Sequence, residues 1–561
     1  MNTKDFLKTI PLVIVALLII FQVKNFVEEN DANYIEEKLA QVEPIFLLVN
    51  FSLLVAFLFL NVKNFKLVFK NLKRWSIVSL TLTVILALIL RIFVAPRTHR
   101  LFFDEDIYLE IGKEILERGK GSLCNYGDSK GCYAYDLMKW PNAYPFLLAL
   151  SYFFFGVSED VGFNLVLFLS ILAVVFIFLT SYLLFDDEKI ALLSALFLTL
   201  TPIHMMWSNT TASEPVLLSL LTFSVLCFLV SFKVDDWKAH ALAILSLAFA
   251  IQVKADAIVS LALFPLMCFL LDEKLKEKIL SLRYSFLWLV FLLLITPYLT
   301  HVYYAHKTET WGANGKKFGF EYARQNIPEN LIFWITGYPT IEHPFLFTFF
   351  AFLGILEIKK KRKEIIFLLS WFFIFFFLYA FFYAGSVRYG VDVRYTLSYY
   401  PAFILIAGYG TRKFIKRKIF FLLLIIITIL SSTLYLNSVS TPAERIEEAK
   451  QARHYHDFAI NFSKNLEDDC YILSHVPSMY LVNGKNSLQT WFGQNNKVMD
   501  ELFNKTDCII FDDGFWCQLE PYKSTVCEHM FNAYKLTKLK STKIDNNEYT
   551  FFKVERKKRS I

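Results

Sequence analysis

Charge is what this sequence has least of. Asp, Glu, Lys and Arg make up 19% of its 561 residues, where a soluble domain carries about 25%. Hydrophobic residues reach 55%, with 59 Phe, against about 45–50% in a soluble domain. An ordinary soluble enzyme is excluded. Internal repeats are also missing, which argues against a transporter built from duplicated halves. No C-x-x-C pair occurs, and the spacings of 38, 9 and 10 between the last four cysteines fit no common zinc finger. No small-residue cleavage site follows the first apolar stretch, which therefore reads as a retained helix.

What is present is a series of apolar runs. Those at 8–23, 44–62, 75–95, 161–185, 213–232, 284–300, 364–384 and 418–437 are long enough to span a bilayer. Shorter ones lie at 143–157, 189–203, 239–252, 255–271, 344–358 and 396–410. The expected fold is a polytopic α-helical membrane protein with about 11–13 spans. The Lys/Arg-rich stretches "NVKNFKLVFKNLKRW", "DEKLKEKILSLR", "IKKKRKE" and "RKFIKRK" are each wedged between apolar runs. Positive-inside bias puts them in the cytoplasm, and their confinement between spans argues against nucleic-acid binding. The other side then receives 25–43, 96–142, the neighbourhood of 204–214, 301–343, 385–395 and everything after 438. Parity fails at one place. Three apolar runs separate 142 from 210, where an even number of crossings is needed.

The cysteines agree with this sidedness. Cys124 and Cys132 fall in the first outside loop, and Cys470, Cys508, Cys517 and Cys527 in the tail. None lies in a basic loop, and even numbers outside fit an oxidising exterior. Cys124–Cys132 is the expected loop disulfide; the tail pairing stays open. The tail, 441–561, is polar and mixed, with strand-like runs at 470–476, 508–514 and 549–554 after a helical stretch at 443–466. A small extracytoplasmic α/β domain is expected there, behind a transmembrane body at 1–440.

"RLFFDEDIYLEIGKEILERG" (100–119) places Asp104, Glu105 and Asp106 where a span meets water. As a helix, Asp104, Ile107, Tyr108, Ile111 and Ile115 share one face, while Asp106, Glu110, Lys113 and Glu117 share the other. Asp104 is then on the apolar side, with juxtamembrane character, and Asp106 faces water. A helix start favours acidic residues through its dipole, which accounts for Glu105 and Asp106 but not for Asp104. A carboxylate at the membrane interface is a functional candidate.

These residues, followed by "MKWPNAYPFLLALSYFFFG" (138–156), resemble the glycosyltransferase-C superfamily. The branch of likeness is that of the protein O-mannosyltransferases and lipid A aminoarabinose transferases. The family's D-E-x-x-Y is met by Asp104, Glu105 and Tyr108. Its Lys-Pro element is met by Lys139, with Trp140 inserted before Pro141. "TPIHMMWSNTTASEPVLLSLLTFS" resembles a second outside element with Glu214 at the acidic position. "VRYTLSYYPAFILIAGYG" resembles a late Arg-Tyr element, Arg394–Tyr395. The likeness implies Asp104 and Glu105 as catalytic residues, and Tyr108, Lys139, Glu214, Arg394 and Tyr395 as substrate-binding ones.

The implied activity is inverting transfer of a sugar from a polyprenyl- or dolichyl-phosphate donor to a hydroxyl on a protein, glycan or lipid. The acceptor needs a general base, for which one carboxylate suffices, and the departing phosphate needs fixed positive charge. No cofactor is required, no residues are assigned to a metal, and a divalent ion on the carboxylates is compatible with the chemistry. The expected setting is the plasma membrane, with the active site extracytoplasmic. Structural alternatives stand beside several residues: Arg394 as an interface anchor, Glu214 as a helix-start acid, Lys254–Asp256 as a local ion pair, and His301, Tyr303 and Tyr304 as interface residues. The rival functions are an oligosaccharyltransferase, whose Trp-Trp-Asp motif is absent from this sequence, and a transporter or flippase for a lipid-linked sugar.

Overall fold

The pairs Asp186–Asp187 and Asp235–Asp236 show how this sequence turns one long helix into the next. Asp186 (φ 55°) and Asp235 (φ 51°) adopt the left-handed conformation, which Asp tolerates better than most side chains. Asp187 and Asp236 then accept backbone N–H bonds at the start of the following helix. The computed structural model describes residues 3–100, 102–137, 140–274, 281–308, 316–337, 343–387, 391–440, 447–520, 522–544 and 547–557.

The chain divides into two units. The first comprises 1–97, 139–144 and 163–442. Among the described residues, six helices are long and apolar enough to cross a membrane: Ala32–Phe69, Arg74–Phe93, Glu159–Phe185, Ser213–Val234, Leu282–Lys307 and Arg362–Ala380. Shorter apolar helices include Trp237–Ile251, Ala255–Leu271, Phe345–Leu356 and Lys418–Ser432. The protein is a multi-pass membrane protein. Ser213–Val234 is the central helix of the unit, 83% buried over its most apolar window, whereas the same measure for Ala32–Phe69 is 22%. The peripheral helices present Phe59, Leu60 and Phe93 outward, as a lipid-facing surface requires.

Several apolar runs form helices shorter than a span because polar segments interrupt them. The helix Trp237–Ile251 stops before Gln252, and a 3₁₀ turn at Ala255–Val259 precedes Ser260–Leu271. A second 3₁₀ segment, Val391–Ser398, precedes Tyr400–Gly410. The first of the three apolar runs between 142 and 210 forms a short helix. Ala143–Phe155 has 13 residues, about 20 Å at 1.5 Å per residue, too short for a core of about 30 Å. From Pro145 onward it belongs to the second unit. Glu159–Phe185 is long and apolar enough to cross a membrane, and the third run forms the shorter consecutive helices Glu188–Thr199 and Pro202–Trp207.

The second unit comprises 98–138, 145–162 and 443–561. The first loop and the tail, separate in the sequence, thus fold together. Their strands are β1 (Leu123–Asp128), β2 (Gly131–Asp136), β3 (Tyr471–Ser474), β4 (Asn486–Gln489), β5 (Ile509–Asp513), β6 (Tyr534–Ile544) and β7 (Asn547–Arg556), in one sheet of order β2-β1-β4-β3-β5-β7-β6. The centre is parallel, with Tyr471 beside Asn486 on one strand and Ile509 on the other. The β1–β2 hairpin joins its edge through Tyr126–Leu488 and Gly127–Ser487. Asp128 locks that junction, accepting from Tyr471 Oη at 2.5 Å and Lys505 Nζ at 2.6 Å.

Among the described residues the disulfides are Cys124–Cys132, Cys470–Cys508 and Cys517–Cys527; Cys227 and Cys268 are buried thiols outside any disulfide. The bond expected in the first loop is present, and it closes the hairpin at the sheet edge. Replacing Cys124 and Cys132 by Ser should cost about 2–3 kcal/mol, as loop-closure entropy for so short a loop allows. Hydrogen exchange should quicken at residues 123–136 while β3 and β5 keep their protection. Uniform loss of protection would mean that the bond holds the whole sheet.

Asp513, at the end of β5, has its carboxyl pushed up to about 7 by burial and by the neighbouring Asp512 and Glu548. Between the ordinary Asp range and that value the folded chain binds a proton that the unfolded chain does not, so stability falls as pH rises through this window. Asp513→Asn should flatten that fall and raise the melting temperature at pH 8. An unchanged pH profile would assign the dependence to other groups.

Candidate active site

The acidic helix, Phe102–Arg118, carries the first candidates. Its apolar face is as expected: Ile107, Tyr108, Ile111 and Ile115 are buried. The opposite face is solvated only in part, with Glu117 exposed. Glu105, Asp106, Glu110 and Glu114 are buried as well, while Asp104 is half-buried. The expectation that Asp106 faces water is therefore corrected: it is 4% exposed. The cause is tertiary. Segments of the tail, including Glu447–Ser463 and Pro477–Val482, together with β1, pack around this helix.

Each buried carboxylate has a partner. Glu105 Oε1 accepts from the backbone N–H of Arg100 at 2.8 Å, and Oε2 lies 2.9 Å from His99 Nδ1. Glu110 accepts from the Cys124 N–H at 3.0 Å, and Glu114 from Tyr135 Oη at 3.1 Å and from Arg118. Asp106 Oδ1 lies 3.6 Å from His456 Nε2. Burial raises Glu110 and Glu114 above the usual carboxylate range. Burial pushes the His99 imidazole down, but Glu105 and Glu159 outweigh it and hold it well above its ordinary value. Glu105 is thus turned inward onto His99. Asp104, one residue earlier, is the carboxylate of the triplet with part of its surface accessible.

A second cluster lies in the first unit, at the interrupted helices. Glu214, in the first turn of Ser213–Val234, accepts from Arg394 Nε at 2.8 Å and from Lys254 Nζ at 3.0 Å. Lys254 also donates to Asp256 at 3.1 Å, and Asp256 accepts from Tyr379 Oη. Arg394 Nη2 donates to Tyr395 Oη at 3.1 Å. Both cations lie over the Tyr395 ring, Lys254 at 4.4 Å and Arg394 at 4.6 Å, and Tyr395 stacks on Tyr379 at 4.8 Å. The fold thus brings Glu214, Arg394 and Tyr395 together. Lys254 and Asp256 do form the local pair expected of them, but the same lysine also reaches Glu214. Two fixed cations with a flat aromatic floor suit a phosphate oxyanion.

Lys139 lies outside the described residues. Close after it, Asn142 donates to Glu43, whose other oxygen is 2.6 Å from His301 Nδ1. All three are buried in the first unit. His301 is therefore a buried partner and not an interface residue. His343 is a core histidine, 2.6 Å from Tyr400 Oη and 2.7 Å from Thr348 Oγ1. Glu43 was detectable in principle as a carboxylate abutting the run 44–62; its partners, 99 and 258 residues away, were not.

Residues 139–304 match the profile of the dolichyl-phosphate-mannose-protein mannosyltransferase family. That stretch contains Trp140–Pro141, Glu214 and Lys254 but neither Asp104 nor Arg394. No curated protein matches the chain in sequence. Among solved structures, ArnT from Cupriavidus metallidurans in the apo state is similar over 84% of this chain and 97% of its own, at 12% identity and TM-score 0.52. ArnT bound to undecaprenyl phosphate matches over 85% and 97%, at 12% identity and TM-score 0.50. The archaeal oligosaccharyltransferase AglB from Archaeoglobus fulgidus, in complex with an inhibitory peptide and a dolichol-phosphate, matches over 88% and 75%, at 11% identity and TM-score 0.49.

Proposed function

We propose, from a chain that belongs by fold to the glycosyltransferase-C superfamily, that it transfers a sugar from a polyprenyl- or dolichyl-phosphate donor to a hydroxyl acceptor. The observation that carries this reading is the cluster of buried Glu214, Lys254 and Arg394 with half-buried Tyr395, which concentrates cations where a membrane body has every reason to exclude them. The binding of undecaprenyl phosphate by ArnT supports a lipid phosphate as the donor's carrier.

In the proposed reaction Asp104 takes the proton of the acceptor hydroxyl as that oxygen attacks the anomeric carbon. The bond from that carbon to the phosphate oxygen breaks, and its electron pair leaves with the lipid phosphate. Arg394 and Lys254, with Lys139, offset the charge that develops there. Attack from the face opposite the leaving group inverts the anomeric centre. Glu214 and Asp256 keep the two cations positioned while no substrate is bound. Reconstituted protein with a radiolabelled lipid-phosphate sugar tests the reading: label should pass to a hydroxyl acceptor, and translocation of intact donor without transfer would establish a transporter instead.

Orientation is proposed as extracytoplasmic for the first loop and the tail, in the plasma membrane. A membrane-impermeant thiol reagent on intact, reduced cells should then label Cys124, Cys132, Cys470, Cys508, Cys517 and Cys527. Labelling that requires permeabilised cells would reverse the orientation and the proposed face of the reaction.

A further inference from the structure

The second unit contains a group of side chains that sugar transfer does not use. His99 precedes the acidic helix, Glu159 opens the helix Glu159–Phe185, and His456 lies on the helix Glu447–Ser463. Each offers a nitrogen or carboxylate oxygen within 4.8 Å of the others. His99 and His456 are buried, with ring centroids 5.1 Å apart, and the Glu159 side chain is 22% exposed. We infer that His99, Glu159 and His456 form a zinc site.

The donor set favours zinc: two imidazole nitrogens and one carboxylate oxygen suit a borderline-soft ion with four-coordinate geometry. Magnesium and calcium prefer oxygen ligands throughout. The surroundings of His99 supply a second observation. An ionised carboxylate can only accept, so Glu105, 2.9 Å from Nδ1, fixes the proton there and aims Nε2 at Glu159, 2.6 Å away. A ligating histidine held by a carboxylate at its other nitrogen is the usual outer arrangement of zinc sites. Glu105, in turn, is held by the Arg100 N–H. A zinc ion would take the place of the proton between Nε2 and Glu159.

The other close set, Glu110, Glu114 and Cys124, lacks a thiolate because Cys124 is bonded to Cys132. The zinc site would join three segments that sequence separates widely, and it would fix the start of the helix that carries Asp104. Its role is to position that helix, and the inference stands whether or not the chain is a transferase.

Full-length protein, purified with its affinity tag removed, should contain one zinc per chain by inductively coupled plasma mass spectrometry. Chelation should lower its melting temperature and added zinc should restore it. His456→Gln and Glu159→Gln should each lose the metal and the response. Should His456→Gln fail to fold, Glu159→Gln carries the test, since that side chain is the most exposed of the three. Glu105→Gln keeps every ligand but loses the orienting carboxylate, and should weaken zinc about 10–100-fold in competition with a chromophoric chelator. Parent protein without a stoichiometric metal and without response to zinc overturns the site. So does zinc that persists in both ligand variants. A different transition ion, lost on the same substitutions, overturns the choice of zinc.

Discussion

Asp104→Asn should lower sugar transfer by roughly 10²–10⁴-fold, the usual contribution of a general base, while donor binding stays close to that of the parent. Asn keeps the shape of the side chain and removes its capacity to take a proton. That loss corresponds to about 3–5.5 kcal/mol of transition-state stabilisation. The neighbouring acids provide the contrast. Asp106 is buried against His456 and Glu105 against His99, so Asp106→Asn and Glu105→Gln should act first on stability. Transfer per folded molecule by Asp106→Asn, measured below the melting temperature, should stay within a few-fold of the parent. Full transfer by Asp104→Asn would place the base elsewhere and leave the triplet as a helix start with two structural carboxylates.

The next largest effects are expected at the cationic cluster. Arg394→Met and Lys254→Met should each weaken binding of undecaprenyl phosphate by about 10–100-fold, the scale of losing one charged hydrogen bond, and transfer should fall with it. Each change also leaves a buried acid short of a partner, and breaking such a pair costs about 3–5 kcal/mol. Glu214→Gln separates the two effects. It removes a carboxylate that both cations share, so it should destabilise the fold while leaving phosphate affinity undiminished. Arg394→Lys should recover part of the binding, since charge is kept and the planar fork is lost. Affinities equal to the parent's in both Met variants would make the cluster a structural network.

Particular residues show what could be read beforehand. Cys124–Cys132 followed from two cysteines in one short loop, and the apolar face of the acidic helix followed from its period. The same period misassigned Asp106, because helical phase records only which residues share a side. It is silent on what covers the other side, and here the covering comes from a tail more than 300 residues later. Lys254 was visible as a cation between two apolar runs. Its partner Glu214 lies 40 residues away and Arg394 lies 140 away, and no local rule connects them.

Composition and the length of the apolar runs determined that this chain lives in a membrane, because burying so many apolar side chains away from water admits few other solutions. The order of the acidic, Trp-Pro and Arg-Tyr elements pointed to the type of fold by resemblance to a known family. Only tertiary structure decided which charged groups meet. Ion pairs and metal ligands depend on distances of a few ångströms between segments remote in the chain, and hydropathy carries no information at that scale. The interrupted helices bring Glu214, Lys254 and Arg394 together, and the folding of the first loop onto the tail buries Asp106 and gathers His99, Glu159 and His456.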